Sequence, residues 1–378
     1  MDLPTKPIGV FAIPPENVLV ICTRRIGDVL LATALARTLK SAWPSARIDA
    51  LVFEETQYAL ADNPDISRVL TVSERPGMAS HFRLMLSLWR RYNLAVSTLP
   101  SDRATLYAWA AGRYRIGVME MDHRPFWKEA MLDATVPYDD LNTHTVAMNL
   151  RLAGLLGLPL VAEVVVSCSD AAARRAREAF PAMSSDMPFA VMHVSPKFAY
   201  KAWTAAGWTE LAKWVIQRGI RVVVTGGATP QERTYVEALM QTMPAGTMNL
   251  AGQLDLPALA CVLSRACLYV GTDTAVTHMA AALGVPTVAL FGPSNPVKWG
   301  PWPKGFSHYS SSPWALRGTQ RVGNVLLLQG EAHCVPCREE GCERHLSSSS
   351  DCLQHLPARR AIEAASTLLN GEHHATHA

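Results

Sequence analysis

The sequence predicts an α/β protein made of two consecutive parallel-sheet domains. Three observations carry this. Short apolar runs alternate with longer stretches of helical period, the pattern of strands joined by crossover helices. The chain has 378 residues, more than one hydrophobic core usually serves. The same strand–turn–helix order also starts twice, on either side of the stretch PAMSSDMP at 181–188, whose Pro, Ser and Met content marks a linker.

In the first half, 17–22 (NVLVIC) reads as a buried strand, 23–27 as a turn and 28–42 as an amphipathic helix. Strands are predicted at 47–53, 68–72, 94–98, 115–118 and 162–167, and helices at 81–91, 102–111, 143–156 and 170–180. In the second half, strands are predicted at 189–193, 221–225, 268–271 and 287–291, and helices at 205–217, 231–241, 256–264 and 274–283. Residues 357–369 read as a closing helix, and the tail GEHHATHA as frayed, its histidines solvated rather than metal-binding. The domains expected are 1–185 and 186–356, followed by the closing helix and tail, 357–378.

Hydrophobic residues make up 49% of the chain and charged ones 18%, a globular balance that excludes a disordered chain. A net charge of +3 without a dense Lys/Arg stripe argues against a nucleic-acid partner and leaves room for weak attraction to an anionic membrane. No apolar run approaches the ~20 residues of a spanning helix. Residues 1–17 carry Asp2 and several prolines with no continuous apolar core, unlike a signal peptide. The expectation is a cytoplasmic protein, with thiols kept reduced. Cys22, Cys168, Cys261 and Cys267 lie in apolar segments and are expected to be small core residues.

Three segments carry candidate chemistry. In TRRIGDVLLATALA, Gly27 permits a tight turn and Asp28 follows it at the carboxyl edge of the sheet, where open α/β folds bind ligands. A helix N-cap explains Asp28 equally simply, and from spacing alone the cap is favoured. Arg24 and Arg25 precede it. In SPKFAYKAW, Ser195 follows a strand, and Lys197 and Lys201 could each reach a phosphate as flexible point charges. They could also be ordinary surface lysines. In GTDTAVTHMAAALGVPTVALFG, Asp273 and Thr274 stand at a helix start, and His278 shares a face with Thr274. The free N–H groups of such a start favour a diphosphate, although a capped helix with a packed histidine fits the same residues.

These residues resemble the family-nine glycosyltransferases, the ADP-heptose:lipopolysaccharide heptosyltransferases. The matching blocks are 18–36, Lys201–Trp203 and above all Asp273-Thr-x-x-x-His278 through Gly292. FGPSNPVKWGPW at 291–302 looks most like the core heptosyltransferases of the third type. The resemblance implies a GT-B fold, two Rossmann-like domains facing each other across a cleft. It implies inverting transfer of heptose from ADP-heptose to a lipopolysaccharide inner-core acceptor, peripheral contact with the inner membrane, and no catalytic metal. It makes Asp28 the general base, and it assigns Lys201, Asp273, Thr274, Ala275 and His278 to the donor, to which Ser195, at the start of SPKFAYKAW, is added as a candidate. Glu232 is its candidate for the nucleoside ribose; the family's usual basic acceptor cluster has no clear match here, and Arg24, Arg25 and Arg103 stand as the acceptor candidates. Transfer to a protein acceptor, a sugar-nucleotide epimerase and a non-catalytic nucleotide-sugar-binding paralogue are the competing readings.

Cys334, Cys337, Cys342 and Cys352 form a cluster of four thiols within nineteen residues, the first two as CxxC. Soft thiolates at such spacing select zinc or iron, and the Ser-rich loop between them has little apolar content to fold it. A structural metal is therefore a candidate role. Free thiols, or a disulfide formed on oxidation, fit the spacing as well.

Overall fold

A computed structural model describes residues 11, 13–120, 122, 125–309 and 312–371. Its first sheet is built from β1 (Asn17–Cys22), followed by α1 (Ile26–Leu31), α2 (Thr33–Ala42), β2 (Arg47–Phe53) and β3 (Arg68–Val72). The chain continues through α3 (Met78–Leu88), β4 (Tyr92–Ser97), α4 (Asp102–Ala111), β5 (Gly112–Met119), α5 (Phe126–Met131), β6 (Ala134–Pro137) and α6 (Thr145–Leu155). All pairings are parallel, in the order β3-β2-β1-β4-β5-β6.

The strand β1 shows why this sequence makes a doubly covered sheet. Its side chains alternate between faces, yet Val18 to Cys22 are all buried. Val18 and Val20 pack with Leu35 and Leu39 of α2 and Leu152 of α6. Leu19 and Ile21 pack with Leu88 of α3 and Tyr107 and Ala108 of α4. Truncating a side chain such as Leu39, fully buried, to alanine is expected to cost about 2–5 kcal/mol.

Local differences from the sequence reading are informative. The helix expected at 28–42 starts earlier and is interrupted at Ala32, so Gly27 lies inside α1 rather than in a turn. Residues 162–167 form no strand. β6 occupies the sheet edge beside β5, and the backbone N–H groups of Val161 and Val165 donate to Thr38 Oγ1 and Thr33 Oγ1 instead, at 3.0 and 2.9 Å. The short β6 and α5 were not anticipated.

The second sheet begins after α7 (Asp170–Ala179) with β7 (Phe189–His193), α8 (Ala205–Ile216), β8 (Arg221–Thr225), α9 (Pro230–Met240) and β9 (Met248–Asn249). Then come α10 (Leu256–Leu263), β10 (Leu268–Thr272), α11 (Ala275–Leu283), β11 (Thr287–Phe291) and α12 (Pro296–Trp299). A hairpin of β12 (Gln320–Val322) and β13 (Val325–Gln329), α13 (Asp351–Gln354) and α14 (Ala358–Gly371) complete it. The order is β12-β13-β11-β10-β7-β8-β9, with only β12 antiparallel. Without that edge strand, both sheets reverse direction at the same place, beside their first strand, as Rossmann sheets do.

The compact units are Met1–Val165 with Gly305–Ser312, and Val166–Lys304 with Pro313–Ala378. The division therefore falls at 165/166 rather than near 185, and the closing helix is part of the second unit. The reason is that α7 packs on α10. Arg175 pairs with Asp255 at 2.9 Å, and Cys168 and Cys261, with Cα atoms 5.1 Å apart, form a disulfide. That disulfide corrects the expectation of two isolated core thiols. Cys22 is buried as expected, while Cys267 is only partly so. Among the described residues no helix is long and apolar enough to cross a membrane. Residues 1–10 and the histidine-bearing tail, 372–378, lie outside the described residues.

Candidate functional site

The first cluster sits at the carboxyl end of β1. Asp28 is buried, at 8% exposure. It is not the helix cap that the spacing favoured, because the cap position is Arg25, whose side chain makes no cap bond. Asp28 instead occupies the first turn of α1, and Arg24 Nε lies 3.3 Å from its Oδ1. Burial disfavours the Arg24 charge, but Asp28 and Tyr138 more than offset this and raise its pKa. Burial and the Asp28 charge together push the neighbouring Cys22 thiol up to about 12. Of the three arginines proposed for the acceptor, Arg24 is thus brought to Asp28. Arg25 is exposed at the start of α1. Arg103 donates to the Glu74 carbonyl at 2.7 Å and lies over the Phe53 ring.

The second cluster is built at the carboxyl end of β10. Gly271 is required there, since a Cβ would come within 2.1 Å of the Tyr269 hydroxyl. That hydroxyl bonds Thr277 Oγ1 at 2.9 Å and ties the first turn of α11 to the strand. Thr274 occupies the cap position but makes no side-chain cap bond. The first N–H groups of α11, from Ala275 on, therefore do not donate to the Thr274 side chain, as an anion site requires.

Just before the helix, buried Asp273 accepts from Lys201 Nζ in a short contact and from Ser294 Oγ at 2.6 Å. Burial works against the Asp273 charge, yet Lys201 and His278 hold its carboxyl below the usual range. His278 is buried, its Nδ1 has no hydrogen-bond partner, and burial lowers its pKa to about 4. It is neutral at physiological pH.

The fold thus brings Lys201, Asp273 and His278 together and adds Ser294, which the sequence reading missed. Ser294 lies in the FGPSNP block, but nothing in its spacing announces a contact to a residue 21 positions earlier. Ser195 is buried beside Gly226, where a Cβ would stand 3.2 Å from its own Cβ. Glu232 accepts from Thr229 Oγ1 at 2.6 Å, while its own N–H donates back to that oxygen. Its immediate duty is capping α9. His193, also unforeseen, ends β7, bonds Thr225 Oγ1 at 3.0 Å and is lowered to about 4 by burial.

The cysteine loop supports this second cluster from behind. Cys352 is buried against Gly292, where a Cβ would lie 3.1 Å from its sulfur. Arg338 N donates to the Pro293 carbonyl at 2.8 Å. Gln354 Nε2 donates to the Ala202 carbonyl, and Trp203 Nε1 to that of Leu356, at 3.1 and 2.8 Å. Burial, then the nearby Cys337, Cys342 and Cys334, push the Cys352 thiol up to about 12. The four cysteines are neighbours, yet among the described residues no three His, Cys, Asp or Glu side chains converge as a metal-holding group.

The two Rossmann-like units have the GT-B fold of solved heptosyltransferases. The chain belongs to glycosyltransferase family 9 (heptosyltransferase), whose model matches residues 82–323. It is 26% identical over 356 residues to lipopolysaccharide heptosyltransferase 3 of Escherichia coli, covering 91% of this chain and 95% of that protein. A solved family 9 glycosyl transferase from Veillonella parvula has the same fold, with TM-score 0.75 and 20% identity over 94% of this chain and 97% of the other. So does E. coli ADP-heptose lps heptosyltransferase II, with TM-score 0.71 and 22% identity over 94% and 99%.

Proposed function

We propose that this glycosyltransferase moves heptose from ADP-heptose to a lipopolysaccharide inner-core acceptor, with inversion and without a catalytic metal. The observation that carries the donor half is the assembly of Lys201, Asp273, Ser294 and His278 around the start of α11. In this reading the acceptor hydroxyl attacks the anomeric carbon, Asp28 takes its proton, and the bond from that carbon to the ADP oxygen breaks. Charge growing on ADP is met by Lys201 and the α11 N–H groups, which are already in place. Asp273 holds the lysine ready, and Thr274, Ala275 and Ser195 border the diphosphate. Glu232 holds the ribose once released from its capping bond. Arg24, Arg25 and Arg103 serve the acceptor, with Arg24 also fixing the Asp28 carboxylate.

The test is incubation with ADP-heptose and truncated core lipopolysaccharide. ADP release coupled to a heptose-sized mass gain on the lipid is expected. ADP release without that gain, or transfer only to protein, would overturn the acceptor assignment. The same reading makes the enzyme cytoplasmic, in peripheral contact with the inner membrane that carries its acceptor.

We also propose a structural zinc or iron held by Cys334, Cys337, Cys342 and Cys352. Four thiols are the donor set a soft metal takes, although among the described residues they do not converge on one point, and the Ser-rich loop has little apolar content of its own. Such a metal would draw the sulfurs together and stiffen the loop behind Gly292. Elemental analysis of protein made under reducing conditions is expected to find about one metal per chain. Metal far below that, with all four thiols open to alkylation, rules it out.

A further inference from the structure

The helix α3 is apolar on more of its circumference than its packing uses. Leu84, Met85 and Leu88 turn inward, on the core shared with α4. Met78, Phe82, Leu86 and Trp89 follow at helical spacing on an adjoining stripe, and they are 92%, 64%, 58% and 49% exposed. A surface helix needs only one apolar stripe, and large exposed apolar side chains in a row mark an interaction surface. The helix α5, whose Phe126 is 83% exposed, also packs on α4.

Charge narrows the partner. Residues 75–101 contain Arg75, Arg83, Arg90 and Arg91 and no Asp or Glu. Arg75, Arg83 and Arg91 are exposed, while Arg90 is tied to the Gly112 carbonyl at 2.8 Å. An apolar stripe ending in Trp and edged by three exposed arginines, against a flanking Glu74 and an Asp102 already paired with Lys128 at 2.6 Å, is net basic, the composition of a helix lying in an anionic lipid interface. A two-fold contact of this face with a second copy would set Arg75, Arg83 and Arg91 against themselves, with Glu74 and the Lys128-paired Asp102 too few to balance them.

We infer that α3, with Trp89, is the surface by which the protein docks on an anionic lipid bilayer. This rests on the peripheral membrane contact proposed above and names the residues that make it. The apolar stripe enters the acyl boundary while the arginines meet lipid phosphates.

The experiment is sedimentation of the full-length protein with phosphatidylglycerol/phosphatidylethanolamine vesicles and with phosphatidylcholine vesicles. Binding to the anionic vesicles only, weakened by salt, is expected. The triple variant Met78→Gln, Phe82→Gln, Leu86→Gln should weaken binding at least about tenfold. Arg83→Gln with Arg91→Gln should weaken it by a similar factor and flatten the salt dependence. All five sites are exposed, so unchanged thermal melting is the folding control. If the wild type binds and the variants bind equally well, the peripheral contact survives and α3 is not its surface. If the wild type binds neither vesicle, the contact and this inference both fail. If it self-associates in solution and the triple variant does not, the face belongs to a second copy and the inference falls. None of these readouts uses the transfer reaction, so failure of the proposed chemistry would be seen separately.

Discussion

The two units repeat one sheet order, and each has a buried aspartate paired with a cation at a strand end, but the pairs are assembled differently. Asp28 meets Arg24 four residues away, so a single turn of chain creates the pair. Asp273 meets Lys201 across 72 positions and Ser294 across 21, and the pair exists only when the second unit is folded. The first arrangement sets its carboxylate against a cation one turn away, itself held by Tyr138, an arrangement compatible with the proposed proton acceptor. The second locks its carboxylate among fixed partners, which suits a scaffold for an anion. The comparison predicts that removing Asp28 damages chemistry, whereas removing Asp273 damages structure and binding together.

The sharpest way to break that contrast is Asp28→Asn. Transfer is expected to fall by about 10²–10⁴-fold with melting temperature and ADP affinity unchanged. Turnover near the wild-type level would reduce Asp28 to a partner for Arg24. Asp273→Asn should instead lower stability, toward the lower end of about 3–5 kcal/mol because Lys201 keeps some solvent contact. It should also weaken ADP. A chemical-denaturation curve matching the wild type would show that the buried pair contributes no scaffold.

Lys201→Ala and Thr274→Val then separate charge from helix start. Loss of a charge-assisted bond predicts roughly 10–100-fold weaker ADP binding for the lysine variant, and less than about tenfold for the threonine one. Calorimetry giving unchanged affinity in both would remove this end of β10 from the donor site.

A separate effect, on pH dependence, also belongs to the second unit. His193 and His278 stay neutral when folded down to about 4, against an ordinary value of 6.5. Between those values the unfolded chain binds more protons, so stability falls as pH drops through the window, on the order of a few kcal/mol together. His193→Gln with His278→Gln should flatten that slope. An unaltered slope would place the titration elsewhere.

Much of this was legible in sequence because period and punctuation are local. NVLVIC, RVVVT and TVALF each announce a strand, and the Asp273-to-His278 block announces a helix start. What was hidden is non-local. The cap reading of Asp28 fails because the helix begins at Ile26, which puts Asp28 in its first turn rather than at its cap. The strand expected at 162–167 has fair apolar content, but β6 holds the edge. Ser294, His193 and the Cys168–Cys261 disulfide each depend on two distant segments meeting, which no spacing rule encodes.

The segment around Cys352 has a consequence for how the protein matures during synthesis. By the time α11 and the loop after β11 have left the ribosome, every residue named for the donor has been made. The clamps on that site have not: Gln354 on Ala202, Leu356 on Trp203, and Arg338 on Pro293 come later. A nascent chain ending before these residues carries a complete motif without its support. ADP affinity is expected to appear abruptly as chain length passes the end of α13, and to be missing from a fragment cut ahead of Cys334.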